Sequence, residues 1–474
     1  MDYKLEPGTA EVQAMMDLTT KKIIAYLDNI ATPLEVDLDR ARADAYNQSE
    51  ALPEIETPFN EIINDLFDNK IPQSLPTVSP GFMAYIPGGG LFHSAVAELI
   101  AKIANRYVGI DFTAPFLVQI EVDVIKWFCE MIGYSDKAAG SLTSGGSIAN
   151  LTAVICARTY LLGDDFSKGI VYASTFAHHS NWKAFQAAGI AAKNIRQIPV
   201  DKKFRLDIQC LEEQLQKDVD DGFIPLMIVA AAGSTNTGTI DQLEHIAQLS
   251  KNYSAWYHID AAYGGFFTLL DSMKSRLKGI ELADSITLDP HKSLFLPYGT
   301  GAIIVKDRAK LEQVFKHSAD YIPDDTVGDD NWDFSEMSLE LTRPFRGLGI
   351  WLPFKMLGAE AFRKALTEKI QLSQYFCEKL KQDTVWKIIA EPELSLTVFR
   401  YDDINKTIEE LNDINQKIIN FVNNKGRVNI SGTKIDGYFV LRSCILSFRT
   451  HESQVTMLLD DLTEAATTLR MTKV

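Results

Sequence analysis

The stretch DPHKSLFLPYGTG, residues 289–301, places Lys292 directly after an Asp-Pro-His triplet and just ahead of an apolar run. A second stretch, HIDAAYGG at residues 258–265, carries Asp260 within another apolar run. Either residue alone is a weak signal, because most lysines and aspartates are solvated surface charges. Together they are the two groups that pyridoxal phosphate chemistry needs, since a lysine forms a Schiff base with this cofactor and an acid protonates its pyridine nitrogen. The pair therefore predicts a pyridoxal 5'-phosphate site.

Length, composition and charge set the class of protein. The 474 residues allow two or three domains, and 46% apolar with 23% charged residues are ordinary values for a globular protein. A net charge of −16 argues against nucleic-acid binding, which uses basic patches. The five cysteines lack the spacing of a zinc site, and neither a signal peptide nor an apolar run of membrane-spanning length is present. We expect a cytoplasmic protein with reduced thiols, no metal and no membrane contact.

Short apolar runs alternate with helical segments through the middle of the chain, which predicts an α/β fold with a mainly parallel sheet between helices. The predicted strands are GIVYAST, NIRQIPV, PLMIVAAAGS, AWYHIDAA, SITLDP and GAIIVK. A predicted helix over residues 9–30 and a Pro-rich, extended passage form an N-terminal arm suited to wrapping a second subunit. The predicted domains are therefore this arm (1–91), a large cofactor domain (92–357) and a small α+β domain (358–474).

The sequence TSGGSIANL, residues 143–151, places Gly145, Gly146 and Ser147 between a strand end and an amphipathic helix. Backbone N–H groups at a helix N-terminus, together with a hydroxyl group, can bind phosphate. Taken alone, the motif indicates only a capped helix start. Beside a cofactor lysine, it predicts the phosphate anchor.

Other candidates follow strand ends, where ligands bind in α/β sheets. His178 comes after GIVYAST and could stack on the cofactor ring or transfer a proton, although its position taken alone favours a structural role. Ser234 and Thr235 follow PLMIVAAAG and could contact the cofactor. Asp260 could also cap a helix, and Ala262 beside it leaves room for a planar ring.

In this order, the motifs resemble those of the group II pyridoxal phosphate amino-acid decarboxylases, which include the aromatic-L-amino-acid and glutamate decarboxylases. The resemblance covers nearly the whole chain, and its motifs are SPGFMAYIPGGG, TSGGSIANL, AHHS, HIDAAYGG, LDPHK, RPFRGLGIW and FVLRSCILSFRTHE. It implies a pyridoxal phosphate-dependent transferase fold of type I with a seven-stranded sheet, in a homodimer whose active site is shared between subunits. The implied reaction is α-decarboxylation of an L-amino acid.

The resemblance also implies roles for individual residues. Lys292 matches the Schiff-base lysine, whose pKa we expect burial to lower, Asp260 matches the partner of the pyridine nitrogen, and His178 matches the ring-stacking histidine. Gly146 and Ser147 match phosphate contacts, and His291 is the neighbour of the lysine. The residues implied on the substrate side are Tyr85, Pro87, Gly88 and Arg346.

Two departures bear on the reaction and the substrate. The loop DDTVGDDNWDFSE shows no tyrosine near Trp332, where many relatives carry the Cα proton donor, and Tyr321 lies at the start of the loop. His178 could be the donor instead, or the product could be an aldehyde. The glycines at 88–90 and Gly109 are expected to widen the pocket for an aromatic side chain such as an indole.

The leading hypothesis is therefore decarboxylation of an aromatic amino acid of the tryptophan or tyrosine type. The alternatives are an acidic or diamino substrate (glutamate, aspartate or 2,4-diaminobutyrate) and an aldehyde-forming oxidative decarboxylation. A transaminase, in which Arg442 or Arg449 would bind the substrate carboxylate, and a non-catalytic cofactor-binding scaffold are less favoured.

Overall fold

A computed structural model describes residues 5–32, 36–316 and 332–471 of the chain. Two compact units are present. One comprises Met1–Ala84, Tyr401–Leu441 and Arg449–Val474, and the other comprises Tyr85–Arg400 and Arg442–Phe448. The three-domain division expected from the sequence stays a prediction.

A seven-stranded sheet forms the centre of the second unit, in the order β1-β7-β6-β5-β4-β2-β3. All six strands named from the sequence lie in this sheet. The strands are β1 (Ala139–Thr143), β2 (Gly169–Ser174), β3 (Ile195–Ile198), β4 (Ile224–Ala231), β5 (Trp256–Asp260), β6 (Ser285–Leu288) and β7 (Gly301–Val305).

Strand direction explains where a site can form. Strands β3, β2, β4, β5 and β6 are parallel to one another, whereas β7 is antiparallel to both of its neighbours, β6 and β1. Strand β1 therefore runs in the same direction as the parallel set. As a result, the carboxyl ends of six strands meet at one edge of the sheet, and the predicted mainly parallel sheet is confirmed.

Helices and strands alternate through the second unit as the apolar pattern predicts. Every residue of β1, β2, β6 and β7 is buried, as expected for a sheet covered on both faces. The α-helices within the described residues of both units are α1 (Thr9–Asp28), α2 (Leu38–Asn47), α3 (Phe59–Asp65), α4 (Phe92–Ala104), α5 (Pro115–Ile132), α6 (Gly146–Leu162), α7 (His179–Ala187), α8 (Ile208–Asp220), α9 (Leu243–Asn252), α10 (Pro290–Ser293), α11 (Arg308–Phe315), α12 (Gly347–Lys381), α13 (Ile408–Asn424) and α14 (Glu452–Met471).

Helix α6 is central to the unit, because it packs on β1, β4, β5, β6 and β7. Its start is shaped by two glycines. Gly145 has a φ of 151°, which side chains rarely adopt, and a Cβ atom on Gly301 of β7 would lie 2.5 Å from the backbone of Gly145. This close approach holds the first turn of α6 at the carboxyl edge of the sheet.

A second sheet, in the order β10-β11-β9-β8, is built from C-terminal strands, which agrees with the expected α+β segment. Its strands are β8 (Trp386–Ala390), β9 (Leu396–Tyr401), β10 (Ser431–Ile435) and β11 (Tyr438–Cys444).

The N-terminal passage is less extended than its proline content predicts, since α2 and α3 lie within it. Asp37 explains the first of these helices, because its carboxylate accepts hydrogen bonds from the backbone N–H groups of Asp39 and Arg40. The second begins directly after Pro58, a residue that suits a helix entry.

The cysteines and the hydropathy of the helices bear on two further expectations from the sequence. All five cysteines are free, and four of them are buried. No helix within the described residues has the length and hydropathy required to cross a bilayer.

Candidate active site

A cavity of about 320 Å³ lies at the carboxyl edge of the large sheet. Residues that follow β1, β2, β4, β5 and β6 line it together. The parallel topology therefore brings together segments that are far apart in the sequence. Lys292, Asp260, His178, Gly146 and Ser147 all line this cavity.

Lys292 lies on α10, the short helix that follows β6 through Asp289 and Pro290. Its Nζ atom forms an ion pair of 2.9 Å with Oδ2 of Asp289, and 18% of its side chain is exposed. Burial alone would lower the pKa of Lys292, but the carboxylates of Asp289 and Asp260 outweigh burial and raise the pKa. The expectation of a lowered pKa for this amine is therefore wrong for the site as the structure shows it.

Asp260 ends β5 and is held by amide groups. Its Oδ2 atom accepts hydrogen bonds from Nδ2 of Asn181 at 2.8 Å and from Nδ2 of Asn150 at 3.1 Å, while Oδ1 accepts one from the backbone N–H of Ala262 at 3.3 Å. Burial would raise the pKa of Asp260, but the charge of Lys292 and the bond from Asn181 outweigh it and lower the pKa. The carboxylate is thus kept ionised.

A buried polar network supports this carboxylate from within the sheet. Asn150 Oδ1 lies 3.1 Å from Nε2 of His258 and accepts a hydrogen bond of 2.6 Å from the hydroxyl of Thr287. His258 Nδ1 lies 2.8 Å from the hydroxyl of Ser285. Burial lowers the pKa of His258 to about 4, so the ring is neutral near pH 7.

His178 caps the N-terminus of α7. Its Nδ1 atom accepts from the backbone N–H of Ser180 at 3.3 Å and lies 2.8 Å from the hydroxyl of the same residue. Because Nδ1 is an acceptor, the proton of the neutral ring is on Nε2. Burial lowers the pKa of His178, which favours this neutral form.

The first turn of α6 forms a cradle at the cavity wall. Its leading N–H groups, at Gly146 and Ser147, have no partner within the helix, as is usual for a helix N-terminus, and the helix dipole favours an anion there. A Cβ atom on Gly146 would lie 3.0 Å from Oδ2 of Asp289, so the carboxylate approaches this turn closely.

The remaining predicted cofactor contacts also line the cavity. These are Ser234, Thr235, Ala262 and His291. Ser234 Oγ lies 2.8 Å from Oγ1 of Thr237, which fixes the turn after β4. His291 Nδ1 donates to the carbonyl of Thr300 at 2.7 Å, so its Nε2 is the atom that can turn to the cavity.

Tyr85, Pro87, Gly88 and Arg346, which were expected on the substrate side, do not line this cavity. Tyr85 is exposed and has a φ of 58°, and Pro87 is buried. Arg346 donates two hydrogen bonds to the carboxylate of Glu340, at 2.6 and 2.9 Å, and one to the carbonyl of Leu142 at 3.2 Å.

The glycines near residue 88 serve packing. A Cβ atom on Gly88 would lie 2.7 Å from the carbonyl oxygen of His291, and one on Gly89 would lie 2.5 Å from Cβ of Phe295. At Gly109 a Cβ atom would lie 2.3 Å from the hydroxyl of Tyr107. The expected widening of the pocket at these three glycines is wrong, because neighbouring groups fill the space.

Most of the loop DDTVGDDNWDFSE, which the sequence predicts to lack the usual proton-donating tyrosine, lies outside the described residues, as does Tyr321. Trp332 is described, and its ring lies 6.1 Å from that of Phe334, with the guanidinium of Arg308 4.9 Å from the Trp332 ring centre. Arg442, named as a possible carboxylate ligand, donates to the backbone carbonyls of Thr235 and Asn236.

Three residues of the site were not singled out from the sequence: Asn150, Asn181 and Asp289. Asn150 lies four residues after Gly146, one helical turn along α6, so it shares a face with the cradle. Asp289 lies three residues before Lys292, a spacing that joins side chains in a helical turn. Asn181 had no comparable signal, because its contact with Asp260 depends on how α7 packs.

The residues present fit pyridoxal phosphate. Lys292 offers the amine, Asp260 an ionised acid, the start of α6 an anion site, and Oδ1 of Asp289 is a buried polar atom without a partner in the described structure. Among the described residues, no group of three His, Cys, Asp or Glu side chains could hold a metal ion.

Comparison with known proteins supports this chemistry. The family model described as the pyridoxal-dependent decarboxylase conserved domain matches residues 43–402. An aromatic-L-amino-acid decarboxylase from Bacillus atrophaeus is 33% identical over 405 residues, which cover 85% of this chain and 84% of that protein. An L-2,4-diaminobutyrate decarboxylase from Acinetobacter baumannii is 27% identical, covering 92% and 89%.

The fold has solved counterparts. The crystal structure of Catharanthus roseus tryptophan decarboxylase in complex with L-tryptophan superposes with a TM-score of 0.91 at 24% identity, covering 98% of this chain and 99% of that one. At this identity the likeness speaks for the fold alone, and the fold class implied by the motifs is confirmed.

The match to the family model identifies an enzyme that uses pyridoxal phosphate as its cofactor. The chain belongs to the pyridoxal-dependent decarboxylase family. Its reaction class is therefore the pyridoxal phosphate-dependent decarboxylation of an amino acid.

Proposed function

We propose that this chain converts an aromatic L-amino acid, of the tryptophan or tyrosine type, to its amine and CO2. The observation that carries the proposal is the placement of Lys292, Asp260 and the start of α6 around one cavity. Pyridoxal phosphate, when bound, supplies an aldehyde that combines with amines and a ring that takes up the electrons of a bond broken at Cα.

The chain's own residues divide the work. Lys292 Nζ is the amine that holds the cofactor, and the ionised carboxylate of Asp260 keeps a proton on the ring nitrogen. The first N–H groups of α6 and the hydroxyl of Ser147 bind the phosphate. Ser234, Ala262 and His291 complete the wall of the cofactor site.

His178 is the candidate Cα proton donor. Its Nδ1 atom accepts from Ser180, so Nε2 carries the proton of the neutral ring. Burial lowers the pKa of His178, and a less basic imidazole gives up a proton more readily when it is charged. A His178→Asn variant should lower the rate of amine formation and raise the share of aldehyde, measured by chromatography of both products.

The charges in the cavity favour an aromatic substrate over glutamate or aspartate. Among the described residues that line it, Lys292 is the one with a fully cationic side chain, and it is committed to the cofactor. The carboxylates of Asp241, Asp260 and Asp289 line the same space. A substrate carboxylate on the side chain would therefore meet like charges. The similarity to an aromatic-L-amino-acid decarboxylase points in the same direction.

Turnover on a panel of the twenty L-amino acids and 2,4-diaminobutyrate tests the proposal, with amine, aldehyde, CO2 and oxygen followed together. We expect the highest kcat/KM for tryptophan or tyrosine, equal amounts of amine and CO2, and no oxygen uptake. A preference for a diamino or acidic substrate would replace the substrate class. Formation of aldehyde, ammonia and peroxide would indicate an oxidative decarboxylation in place of the proposed reaction. A requirement for a keto acid would indicate a transaminase.

We also propose a homodimer with a shared active site. Large apolar side chains of the second unit are exposed, including Phe116 at 86% and Ile103 at 73%, as expected of a surface that a second copy covers. Sedimentation should give twice the chain mass of 53.0 kDa. Phe116→Asp should yield an inactive monomer, whereas Ile404→Asp, at a position of the first unit that is 96% exposed, should not. An active monomer would contradict this proposal.

A cytoplasmic location stays a prediction.

A further inference from the structure

A chain of buried polar groups leads from the interior of the large sheet to the cavity. It begins at Trp256 on β5, whose Nε1–H donates a hydrogen bond of 2.8 Å to Oγ of Ser285 on β6. The same Oγ atom lies 2.8 Å from Nδ1 of His258. All three residues are at most 2% exposed. An indole N–H can only donate, so the Ser285 hydroxyl accepts from Trp256 and has its own proton left for Nδ1 of His258.

The other end of the chain is fixed by Asp260. An ionised carboxylate only accepts hydrogen bonds, so the side-chain amide of Asn150 must face it with Nδ2, which lies 3.1 Å from Oδ2 of Asp260. The amide oxygen therefore points the other way, to Nε2 of His258 at 3.1 Å and to the hydroxyl of Thr287 at 2.6 Å. Because a carbonyl oxygen can only accept, Nε2 of His258 must carry a proton.

A single position of the proton on the His258 ring fits both ends of the chain. The ring is neutral near pH 7, because burial lowers its pKa to about 4. With the proton on Nε2, Ser285 donates to Nδ1 and Nε2 donates to Asn150. With the proton on Nδ1, Ser285 would face two N–H donors, and the bare Nε2 would face the oxygen of Asn150. Mismatched groups of this kind are costly in a buried site.

The amide of Asn150 also reaches the histidine of the cavity. Its Nδ2 atom donates a second hydrogen bond, of 3.0 Å, to Oγ of Ser180, so the Ser180 hydroxyl keeps its proton for Nδ1 of His178, 2.8 Å away. The backbone N–H of Ser180 faces the same Nδ1 atom at 3.3 Å. Nε2 of His178 therefore carries the ring proton. One orientation of the Asn150 amide thus serves both Asp260 and His178.

We infer that Asn150 is a positioning residue for both sides of the site, and that the Nε2-protonated form of His258 sets its orientation from behind. Each donor in the chain from Trp256 to His178 points toward the cavity, and aligned hydrogen bonds strengthen one another. The roles of Asp260 and His178 in the reaction rest on the proposed function, whereas the arrangement of protons does not depend on it.

Nitrogen-15 NMR of the full-length chain, labelled at histidine, tests the proton arrangement without any turnover. Protonated and bare imidazole nitrogens resonate in separate ranges, so the spectrum shows which nitrogen carries each ring proton. At about pH 8, where histidines of ordinary pKa are neutral, we expect a protonated Nε2 and a bare Nδ1 in His258 and His178, before and after pyridoxal phosphate is added. His258→Leu and His178→Asn assign the two sets of signals by their loss. A proton on Nδ1 of either ring, or on both nitrogens of His258, overturns the inference.

Two variants test whether His258 acts through Asn150. His258→Leu removes the N–H that holds Oδ1 of Asn150, so the amide can turn away from Asp260, whereas His258→Gln keeps an amide N–H at this place. The leucine variant should lose about tenfold in kcat/KM and move the acid limb of the pH profile to higher pH, because Asp260 is then less firmly ionised. The glutamine variant should recover most of both losses.

Tyr172→Phe is the control for a general loss of stability. The Tyr172 hydroxyl donates to Asp218 at 3.0 Å, and the residue is fully buried and does not line the cavity. This variant should lower the free energy of unfolding without moving the acid limb.

An acid limb that stays in place in His258→Leu, or that His258→Gln fails to restore, overturns the positioning role. If the leucine variant does not fold, the wild-type spectrum and the glutamine variant decide, since an acid limb moved by glutamine would contradict the inference. A wild type that turns over no amino acid contradicts the proposed function, and the histidine spectrum then still decides the proton arrangement.

Discussion

The carboxylates of Asp260 and Asp289 both line the cavity, but their surroundings differ. Both carboxylate oxygens of Asp260 accept hydrogen bonds. Two of these three bonds come from the side-chain amides of Asn150 and Asn181. Asp289 has one oxygen paired with Lys292 and the other without a partner in the described structure. The charge of Lys292 acts on both carboxylates, but Asp260 also has amide donors that stay in place, whereas Asp289 is paired directly with the amine that we propose holds the cofactor.

The ionisation state of a buried acid can therefore be maintained by neutral donors, or it can depend on a partner that itself reacts. Neutral amide donors stabilise the charge of Asp260 without adding a titrating partner, and together with Lys292 they lower the pKa of this carboxyl group. An acid paired with a reactive lysine changes its environment when the lysine reacts. The charge of Lys292 interacts with both carboxylates. Variants of these residues should therefore separate their contributions to activity.

The largest effect is expected from Lys292→Ala, which removes the amine between the two acids. Activity should fall by at least about 10⁴-fold, because the covalent attachment of the cofactor is lost. Borohydride reduction followed by mass spectrometry should find the cofactor on Lys292 in the wild type and on no lysine in the variant.

Lys310→Ala is a suitable control. Its Nζ atom pairs with Asp284 at 3.0 Å, and 19% of its side chain is exposed, close to the 18% of Lys292. It should retain activity and the covalent label. A labelled, active Lys292→Ala enzyme would contradict the assignment of this amine.

The next effect concerns Asp260→Asn, which replaces the firmly held carboxylate by an amide that cannot keep a proton on the ring nitrogen. Turnover should fall on the order of 10³-fold, the size of effect seen when one electrostatic partner of a reacting group is removed. The cofactor should still attach to Lys292, as its absorbance band would report.

Asp218→Asn tests a buried carboxylate outside the cavity, where Asp218 pairs with Arg196. It should lower the free energy of unfolding but leave turnover per folded molecule unchanged. Equal losses in the two variants would mean that Asp260 acts through folding.

The third effect should appear in the dependence of the free energy of unfolding on pH. Burial lowers the pKa of His258 to about 4, whereas an unfolded histidine has a pKa of about 6.5. The unfolded chain therefore binds more protons between these two values, so the free energy of unfolding rises with pH across about pH 4 to 6.5. The full difference is about 3 kcal/mol.

Denaturant unfolding at several pH values measures this slope. His258→Asn should flatten it, while His245→Asn, at an exposed position on α9, should leave it unchanged. A slope that survives in His258→Asn would assign the pH dependence to other groups.

Much of the site was predictable because it depends on local sequence and on sheet topology. Asp260 ends a strand, Lys292, His178, Gly146 and Ser147 each follow one, and parallel strands bring their carboxyl ends to one edge. The residue types at these ends therefore indicate a shared cavity before any contact is known.

The predictions that the structure contradicts depended on contacts that cannot be inferred from the sequence. The pKa of Lys292 is raised because Asp289, three residues earlier, reaches its amine. The glycines at 88 and 89 pack against residues of α10 and the segment after it, which are distant in sequence. Asn181 reaches Asp260 only through the packing of α7 on the sheet.

The smallest effect is expected from Asn181→Leu, which removes one of the two amides on Oδ2 of Asp260. A hydrogen bond to a charged group contributes about 1.5–3 kcal/mol. Because Asn150 still donates to the same oxygen at 3.1 Å, we expect the low end, about a tenfold loss in kcat/KM. Since the bond from Asn181 helps to lower the pKa of Asp260, its loss should raise that pKa and move the acid limb of the pH profile to higher pH.

Asn194→Leu separates this effect from a general loss of stability. Asn194 is buried and bonds to the carbonyls of Ser167 and Gly169, at the end of β2 away from the cavity. Its replacement should lower the free energy of unfolding without moving the acid limb. An acid limb that stays in place in Asn181→Leu would mean that Asn150 and Lys292 alone keep Asp260 ionised, and the contrast with Asp289 would then depend on Asn150.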